Sequence, residues 1–263
     1  MTALRDVSAR PAPLPRRLLP FEPATAARPL LDDHDGTLDV EWLGRVAYGP
    51  TWELQDELAA QRRDAKIGDR LLLLEHRPVY TIGRGGDASN LLADADRLRA
   101  LGAEYFRIDR GGDITFHGPG QLVAYPIVRL RDPLDLRRYV RALEEAVIDT
   151  VARYGVHADR VEGRPGAWVD GERKLAAVGV RVRRGVTTHG LALNVSTDLA
   201  WFDEMIPCGI PGTTATSVVR ETGRHLAVAD VAEPLAEALA ATFGLRIAHS
   251  SWGPIGPAGA AEE

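Results

Sequence analysis

The chain has 263 residues, enough for one domain with a substantial core and too few to require two. Hydrophobic residues make up 45% and charged residues 26%, which is the profile of an ordinary globular protein. The net charge of -5 and the isoelectric point of about 5.8 argue against a nucleic-acid-binding protein. Such a protein carries a basic face, whereas the arginines here are interspersed with acids.

The single cysteine, Cys208, excludes an internal disulfide and fits a reducing compartment. No apolar run approaches the roughly 20 residues of a membrane helix. The N-terminus has no hydrophobic signal core, so we expect a cytoplasmic protein. Composition predicts a flexible arm at residues 1–36, a single folded domain at residues 37–249 and a flexible tail at residues 250–263.

Helical and strand patterns alternate in the first half of the folded region. Helical spacing predicts a helix over residues 52–65, with Thr51 placed to cap it. Further expected elements are a buried strand over 70–75, a short helix over 92–100 that ends before Gly102, and a strand over 121–128.

The second half predicts one long helix, a meander and a final helix. An apolar face of helical period lies between Asp135 and Gly155. Asp170-Gly171 is the usual signal for a tight hairpin turn, and a second turn is expected at residues 183–185. The expected strands are 167–169, 174–182 and 187–195, with Lys174 near the start of the second, and a final helix covers 231–243. These elements predict an α/β or α+β domain with a mixed, largely antiparallel sheet.

Lysine is rare in this chain. Of 32 Lys and Arg residues, Lys66 and Lys174 are the two lysines. Arginine stays protonated in proteins, whereas a lysine can give up its proton, so a lysine kept in this background is a candidate for acid–base chemistry. Lys66 lies in the polar stretch 62–69, where we favour chance.

Two segments combine glycines with a strand pattern. Residues 110–121 read RGGDITFHGPGQ, in which paired glycines allow backbone N–H groups to approach a ligand. A glycine-rich hairpin with a surface His117 explains this pattern equally well. Residues 174–181 place small side chains inside a strand, which makes sense where a ligand or another backbone comes close. A tight contact between sheet and helix is the alternative.

The third segment covers residues 188–194. Strand alternation places His189, Leu191 and Leu193 on one face, and Gly190, Ala192 and Asn194 on the other. The second face has little bulk and could leave a slot, although His189 by itself is more typical of a structural histidine.

The fourth segment is the Pro- and Gly-rich stretch around Cys208. Loops of this kind commonly display functional side chains, whereas a lone cysteine is usually a small buried hydrophobe. A Cys/His hydrolase is an open alternative, because His117 and His189 are both available.

Together the four segments resemble the lipoyl(octanoyl) transferase family, which moves octanoyl from acyl carrier protein onto lipoyl domains. RGGDITFHGPGQLVAYP, RKLAAVGVR, THGLALNV and PCGI match the family's motifs in order, and the resemblance covers roughly residues 41–244. It implies the fold of biotin protein ligases and lipoate ligases, a mixed sheet flanked by helices. It also implies that the domain at residues 37–249 is an acyltransferase domain.

The resemblance also implies functional residues. Cys208 would be the nucleophile that carries the acyl group, and Lys174 the partner that lowers the pKa of its thiol. The implied substrate-binding residues are Arg110, Gly111, Gly112, Asp113, Ile114, Thr115, Phe116, His117, Ala177, Val178, Gly179, His189, Gly190, Leu191 and Ala192. Asp113 departs from the family pattern, which more often has Gln or Lys at this position.

The implied chemistry has two steps. A thiol of pKa about 8.5 is only ~3% thiolate at pH 7, so a nearby ammonium is needed to make Cys208 reactive. Cys208 then takes the acyl group from a thioester, and an acceptor lysine removes it, with Lys174 as the base for the incoming amine. Cys208 and Lys174 would titrate as a coupled pair. No ATP, other cofactor or metal is required.

The resemblance also names partners. We expect octanoyl-acyl carrier protein as donor, and apo lipoyl domains of 2-oxoacid dehydrogenase complexes and glycine cleavage H protein as acceptors. A monomer is expected, with no nucleic-acid or membrane partner. The alternatives are an ATP-dependent lipoate or biotin ligase, a Cys/His hydrolase, and a non-catalytic module that binds octanoyl groups or lipoyl domains. No ligase-type run of glycines with a paired lysine is present.

Overall fold

The computed structural model describes residues 29–32, 35–206 and 213–252. Its elements in chain order are β1 (Thr37–Val46), α1 (Tyr48–Arg63), β2 (Asp69–His76), β3 (Val79–Ile82), α2 (Ala95–Leu101), β4 (Glu104–Arg107), β5 (Ile114–His117), β6 (Gln121–Ile127), α3 (Leu136–Ala152), β7 (Asp159–Val161), β8 (Arg164–Val169), β9 (Arg173–Arg183), β10 (Val186–Asn194), β11 (Thr214–Ala215), α4 (Val218–Thr222), α5 (Val228–Phe243) and β12 (Arg246–Ser251). Short 3₁₀ turns cover Ala88–Asn90 and Leu199–Glu204.

A mixed sheet forms the middle layer of the described domain. Its strand order is β12-β1-β2-β6-β10-β9-β8-β7, and β11 pairs with β9. The β12–β1, β1–β2 and β11–β9 pairs are parallel and the others antiparallel. A second, three-stranded sheet has the order β4-β3-β5. The predicted mixed sheet and the meander of β8, β9 and β10 are confirmed.

Strand β2 explains why the main sheet is covered on both sides. Its successive leucines alternate between faces: Leu71 and Leu73 pack in the core under α3 and α5, whereas Leu72 and Leu74 pack toward α1. An uninterrupted apolar run is typical of a strand buried on both faces. All four leucines are fully buried, and each such burial stabilises the fold by about 1.5–3 kcal/mol.

Helix α1 begins earlier than the sequence pattern predicts. It covers residues 48–63 rather than 52–65, and the expected cap at Thr51 is wrong. The N-cap is Ala47, and the Thr51 hydroxyl donates to the Ala47 carbonyl at 2.7 Å from inside the first turn. Pro50 also lies in that turn, where its missing N–H has no helical partner to lose, so it does not prevent the earlier start.

The other predicted helices are present with shifted ends. Helix α2 starts three residues later than expected, because the Asp94 carboxylate accepts the Arg97 N–H at 2.8 Å as a cap. It ends, as predicted, at Gly102, which has a φ of 63°. Helix α5 starts three residues before the expected 231, and Asp230 in its first turn accepts the N–H of the N-cap residue Ala227 at 2.9 Å.

The packed region extends slightly beyond the expected domain limits. Leu30 and Leu31 belong to the main core, so this part of the predicted arm is packed, and β12 continues to Ser251. Residues 1–28 and 33–34 of the predicted arm, and the tail from residue 253, lie outside the described residues. Among the described helices, none has the length and apolar character needed to cross a bilayer.

Candidate active site

A cavity of about 380 Å³ opens between the main sheet and the loop that precedes β5. Four stretches of chain contribute most of its lining, at residues 110–117, 163–168, 174–179 and 189–192, and Tyr48, Gly85 and Tyr125 complete it. This size is within the range of sites for small organic ligands. Three of the four sequence segments singled out above therefore meet in one place.

A β-bulge determines which way Lys174 points. Ala167 pairs with Ala176, but the next pair is Trp168 with Lys174, so Leu175 is an extra residue in β9. Leu175 and Ala176 both belong to the main core, whereas Lys174 and Ala177 both line the cavity. Bulges commonly re-aim side chains next to active sites. Here the extra residue turns the half-buried Lys174 toward the cavity.

Strand β8 supports Lys174 from the neighbouring position. The Lys174 Nζ lies 5.2 Å from the centroid of the Trp168 ring, within the range of a cation–π contact. Gly166 leaves room for the lysine stem, because a Cβ there would lie 3.2 Å from Lys174 Cε and 2.2 Å from the Ala176 carbonyl oxygen. Its φ of 128° is also a backbone conformation that favours glycine.

Cys208 lies in the segment 207–212, outside the described residues. Residues on both sides of this segment lie near Lys174. Met205 and Thr213 line a small second cavity, of about 20 Å³, together with Lys174. Ala215 in β11 is the register partner of Lys174.

The glycine-rich loop 110–113 is held by its own side chains. The buried Arg110 guanidinium donates to the Thr81 carbonyl at 2.8 Å and to its hydroxyl at 2.9 Å. Asp113 accepts the Asn90 side-chain N–H at 2.6 Å and the Asp87 backbone N–H at 3.2 Å. The Asn90 carbonyl in turn accepts the Ile206 N–H at 2.8 Å. Asp113 thus connects the glycine-rich loop to the residues just before Cys208.

His117 forms one end of a buried hydrogen-bond network. Its Nδ1 lies 2.8 Å from Gln121 Oε1, so Nδ1 carries the proton and Nε2 is the acceptor. Gln121 donates to Asn194 at 2.9 Å, and Asn194 donates to the Thr216 carbonyl at 3.0 Å. Burial holds the pKa of His117 well below its usual value, with nearby His76 adding to the effect. The ring is therefore neutral at neutral pH.

His189 forms a second polar contact at the cavity. Its Nε2 donates to Asp109 at 3.2 Å, and Arg181 lies 2.7 Å from the other Asp109 oxygen. Burial lowers the pKa of His189, although Asp109 opposes this effect. The hydrogen bond from His189 lowers the pKa of Asp109, with Arg181 contributing in the same direction.

The expected alternation of β10 is wrong at His189. Its φ is 57°, in the left-handed region, and its backbone N–H donates to Gln55 at 2.7 Å. The imidazole packs edge-on against Tyr125, with 6.3 Å between the ring centroids. Tyr125 belongs to the same cluster as Ala192, and not to the cluster of Leu191. Side-chain alternation assumes extended backbone at every residue, and this residue departs from it.

The family model of the lipoyl protein ligase A/B catalytic domain matches residues 47–240. An octanoyltransferase of Rubrobacter xylanophilus is 52% identical over 204 residues, covering 76% of this chain and 91% of that protein. The chain belongs to the octanoyltransferase family. A second member, from Chloroflexus aurantiacus, is 48% identical over 212 residues, covering 80% of this chain and 95% of that protein.

Solved structures place this octanoyltransferase-family chain in a known fold. The bi-partite lipoate protein ligase of Thermoplasma acidophilum superposes with a TM-score of 0.66 at 18% identity, covering 82% of this chain and 88% of that one. Lipoate-protein ligase A superposes with a TM-score of 0.61, also at 18% identity, covering 83% and 90%. At such low identity these likenesses show the fold, and they confirm the predicted ligase-like architecture.

Most residues that the octanoyltransferase motifs imply line the cavity, with Gly111 and Phe116 as the exceptions. Phe116 faces the other side of β5, where it stacks on Trp201 with 4.8 Å between ring centroids. The Gly111 N–H donates to the Val180 carbonyl at 2.9 Å and ties the loop to β9. Gly190 serves close strand packing as well, because a Cβ there would lie 2.2 Å from the Ala124 carbonyl oxygen.

Five parts of the lining were not identified from the sequence, and one of them, Gly85, lies outside the motifs singled out above. Tyr48 was missed because the predicted α1 started four residues later, and Tyr125 because β6 shows no alternation that separates its faces. Residues 163–165 carry no motif of their own. Trp168 could have been noticed as a large aromatic residue beside a hairpin signal, but its pairing with Lys174 depends on the bulge.

Proposed function

We propose that this protein transfers an octanoyl group from octanoyl-acyl carrier protein to a specific lysine of apo lipoyl domains, through a thioester on Cys208. This would be the first step of endogenous lipoate synthesis, in the cytoplasm. The relatives named octanoyltransferase support the acyl group and the class of reaction. The acceptors we propose are the lipoyl domains of 2-oxoacid dehydrogenase complexes and glycine cleavage H protein, and the protein acts as a monomer.

The position of Lys174 is the observation that carries this proposal. Lys174 lines both the large cavity and the small one, and the small cavity is also lined by Met205 and Thr213. These two residues flank the segment that contains Cys208. The arrangement supports a site in which the lysine amine, the cysteine and an acyl chain meet.

In the first step the Cys208 thiolate attacks the thioester carbonyl of the donor. A new carbon–sulfur bond forms to Cys208 and the bond to the carrier's sulfur breaks. The leaving carrier thiolate takes the proton of the Lys174 ammonium, directly or through water, so that Lys174 is neutral for the second step. The Lys174 ammonium favours the Cys208 thiolate by charge. Because one thioester replaces another, the step is close to isoenergetic and needs no nucleotide.

In the second step the acceptor lysine attacks the Cys208 thioester. The carbon–nitrogen bond forms, the carbon–sulfur bond breaks, and Lys174 takes the proton from the attacking nitrogen. The released Cys208 thiolate and the Lys174 ammonium formed in this way restore the starting pair. Arginine could not replace Lys174 here, because a guanidinium does not give up its proton in proteins.

The apolar part of the cavity suits the acyl chain. Ile114, Val178, Leu191 and Ala192 line it, and each methylene moved out of water contributes about 0.8 kcal/mol. His117 and His189 contribute neutral imidazoles, whose N–H groups donate hydrogen bonds to Gln121 and Asp109 respectively. We assign both to shaping the cavity and binding substrate rather than to the base role.

The test is to incubate the protein with octanoyl-acyl carrier protein and measure its mass. We expect one octanoyl adduct that hydroxylamine removes and that the Cys208→Ala variant does not form. Lys174→Arg should retain adduct formation while the amide transfer rate falls by about 10²–10⁴-fold, the usual contribution of a general base. Lys66→Arg is the matched control, because Lys66 is the other lysine and its side chain is 69% exposed.

Four outcomes would contradict a part of this proposal. An adduct at a residue other than Cys208 would refute the thioester intermediate. Strict dependence of transfer on ATP would indicate a ligase, and release of free octanoate without amide formation would indicate a hydrolase. Full transfer activity in Lys174→Arg would show that Lys174 acts through its charge alone.

A further inference from the structure

Trp168 is buried to 1% exposure beneath the Lys174 side chain. The two residues are direct partners across the antiparallel β8–β9 pair, so their side chains leave the sheet on the same side. The ammonium lies 5.2 Å from the ring centroid. Gly166, two residues earlier in β8, bounds the stem of the same lysine. The lysine is therefore held by two residues of one neighbouring strand.

The indole is itself fixed in orientation. Its Nε1 donates to the Arg164 carbonyl at 3.1 Å, within its own strand. The Arg164 guanidinium lies 5.8 Å from the same ring centroid, nearer the limit of a cation–π contact. Among natural side chains, indole attracts a cation most strongly. A rigid indole beside a lysine therefore attracts the lysine's ammonium group at a fixed position.

We propose that Trp168 is a positioning residue that holds Lys174 in one rotamer and attracts the ammonium that Lys174 becomes during acyl transfer. The proposal rests on the proposed function of Lys174. In the transfer step, Lys174 Nζ accepts a proton from the attacking nitrogen as the carbon–nitrogen bond forms and the bond to Cys208 sulfur breaks. The product of that proton transfer is an ammonium against the indole face. The ring attracts this charged group more strongly than it attracts the neutral amine.

The first experiment tests the contact without requiring activity. The chain has two lysines, so a sample labelled with ¹³C-lysine gives one set of side-chain NMR signals for Lys174 and one for Lys66. We expect the Hε signals of Lys174 to be shifted upfield by the Trp168 ring current, and those of Lys66, which is 69% exposed, to be unshifted. The upfield shift should disappear in Trp168→Leu and remain in Trp168→Phe. Unshifted Lys174 signals in the unmodified protein would overturn the proposal.

The second experiment separates the electrostatic role from packing. Trp168 is replaced by mono-, di-, tri- and tetrafluorotryptophan, which weakens the negative ring face while keeping the shape of the indole. The logarithm of the transfer rate from the isolated acyl-enzyme should fall stepwise with fluorine number, by roughly five- to thirtyfold over the series. The Tm should stay constant. Fluorination of Trp42, which lies in β1 and packs against the main core, is the control and should leave the rate unchanged.

The two readouts keep the proposal separate from the function on which it rests. A flat rate series at constant Tm would overturn the electrostatic role of Trp168, even if octanoyl transfer is confirmed. If the ring-current shift is present but no acyl-enzyme forms, the proposed function fails, and with it the role of Trp168 in transfer. A stepwise fall in rate together with the shift supports both.

Discussion

Buried His76 should make the stability of this fold depend on pH well above the range in which carboxylates titrate. His76 is fully buried, and its Nε2 accepts from the Tyr125 hydroxyl at 2.8 Å while Nδ1 lies 3.3 Å from the Val46 carbonyl. Burial lowers its pKa from 6.5 to about 4. In the unfolded chain the imidazole takes up a proton near pH 6.5, whereas the folded protein takes it up near pH 4.

The magnitude follows from the two pKa values. Each pKa unit corresponds to 1.36 kcal/mol, so a difference of about 2.5 gives about 3 kcal/mol for His76. Because the folded pKa is lowered, this stabilisation is complete above pH 6.5 and is lost as the pH falls from about 6.5 to about 4. Burial also lowers the pKa values of His117 and His189, so they act in the same direction. A loss of this size is a large part of the 5–15 kcal/mol of a typical domain.

The assay is urea unfolding at a series of pH values from 7 to 4, in the unmodified chain and in His76→Gln. Glutamine retains polar groups for Tyr125 and Val46 but does not titrate. The free energy of unfolding should therefore fall by about 3 kcal/mol less in the variant over this range. His225→Gln, at an exposed position, should follow the unmodified chain. Parallel curves for His76→Gln and the unmodified protein would refute the assignment of this loss to His76.

Asp113→Asn removes the charge that holds Asn90 and Asp87, and should lower the free energy of unfolding by about 1–2 kcal/mol in urea titrations and slow acyl transfer. Asp96→Asn, whose side chain is 88% exposed, is its control, and equal effects of the two variants would contradict this role. Ala192→Leu should shift acyl preference toward shorter chains, with kcat/KM for octanoyl relative to hexanoyl falling about fourfold per excluded methylene. Ala200→Leu, at an exposed site, should keep the chain-length profile, and an unchanged profile in Ala192→Leu would show that this wall does not limit the acyl chain.

Strong local signals made much of the fold predictable. The two hairpin turns are marked by residue types that favour turns. Asp170 and Gly171 have φ values of 52° and 73°, as the Asp-Gly signal predicts. The apolar run of β2 and the apolar face of α3 were also sufficient to predict that strand and that helix. Helix starts were less predictable. A cap depends on backbone geometry, and the residue types around Thr51 do not determine which residue takes the N-cap position.

The candidate site was predictable where its residues lie in the motifs that carry the family resemblance. The glycine-rich loop and the segments of β9 and β10 meet as the family resemblance implies. Features that depend on tertiary contacts could not be predicted from the sequence. Examples are the left-handed backbone conformation of His189 and the hydrogen bond from Asn90 to Asp113. The relation of Cys208 to Lys174 stays a prediction, supported by the chain on either side of it.

Side chains alternate between the two faces of a strand, so the extra residue Leu175 reverses the side of the sheet to which Lys174 points. Inserting one residue between Ala167 and Trp168 would give Leu175 a partner and restore a regular ladder with β8. It would also turn Lys174 toward the packed interior, although every cavity side chain would still be present in the chain. The relative lengths of β8 and β9 beside Lys174 are therefore as much a requirement as the lysine itself. When relatives are aligned, a gap moved by one position within residues 173–177 would assign the Lys174 amine to the wrong side of the sheet.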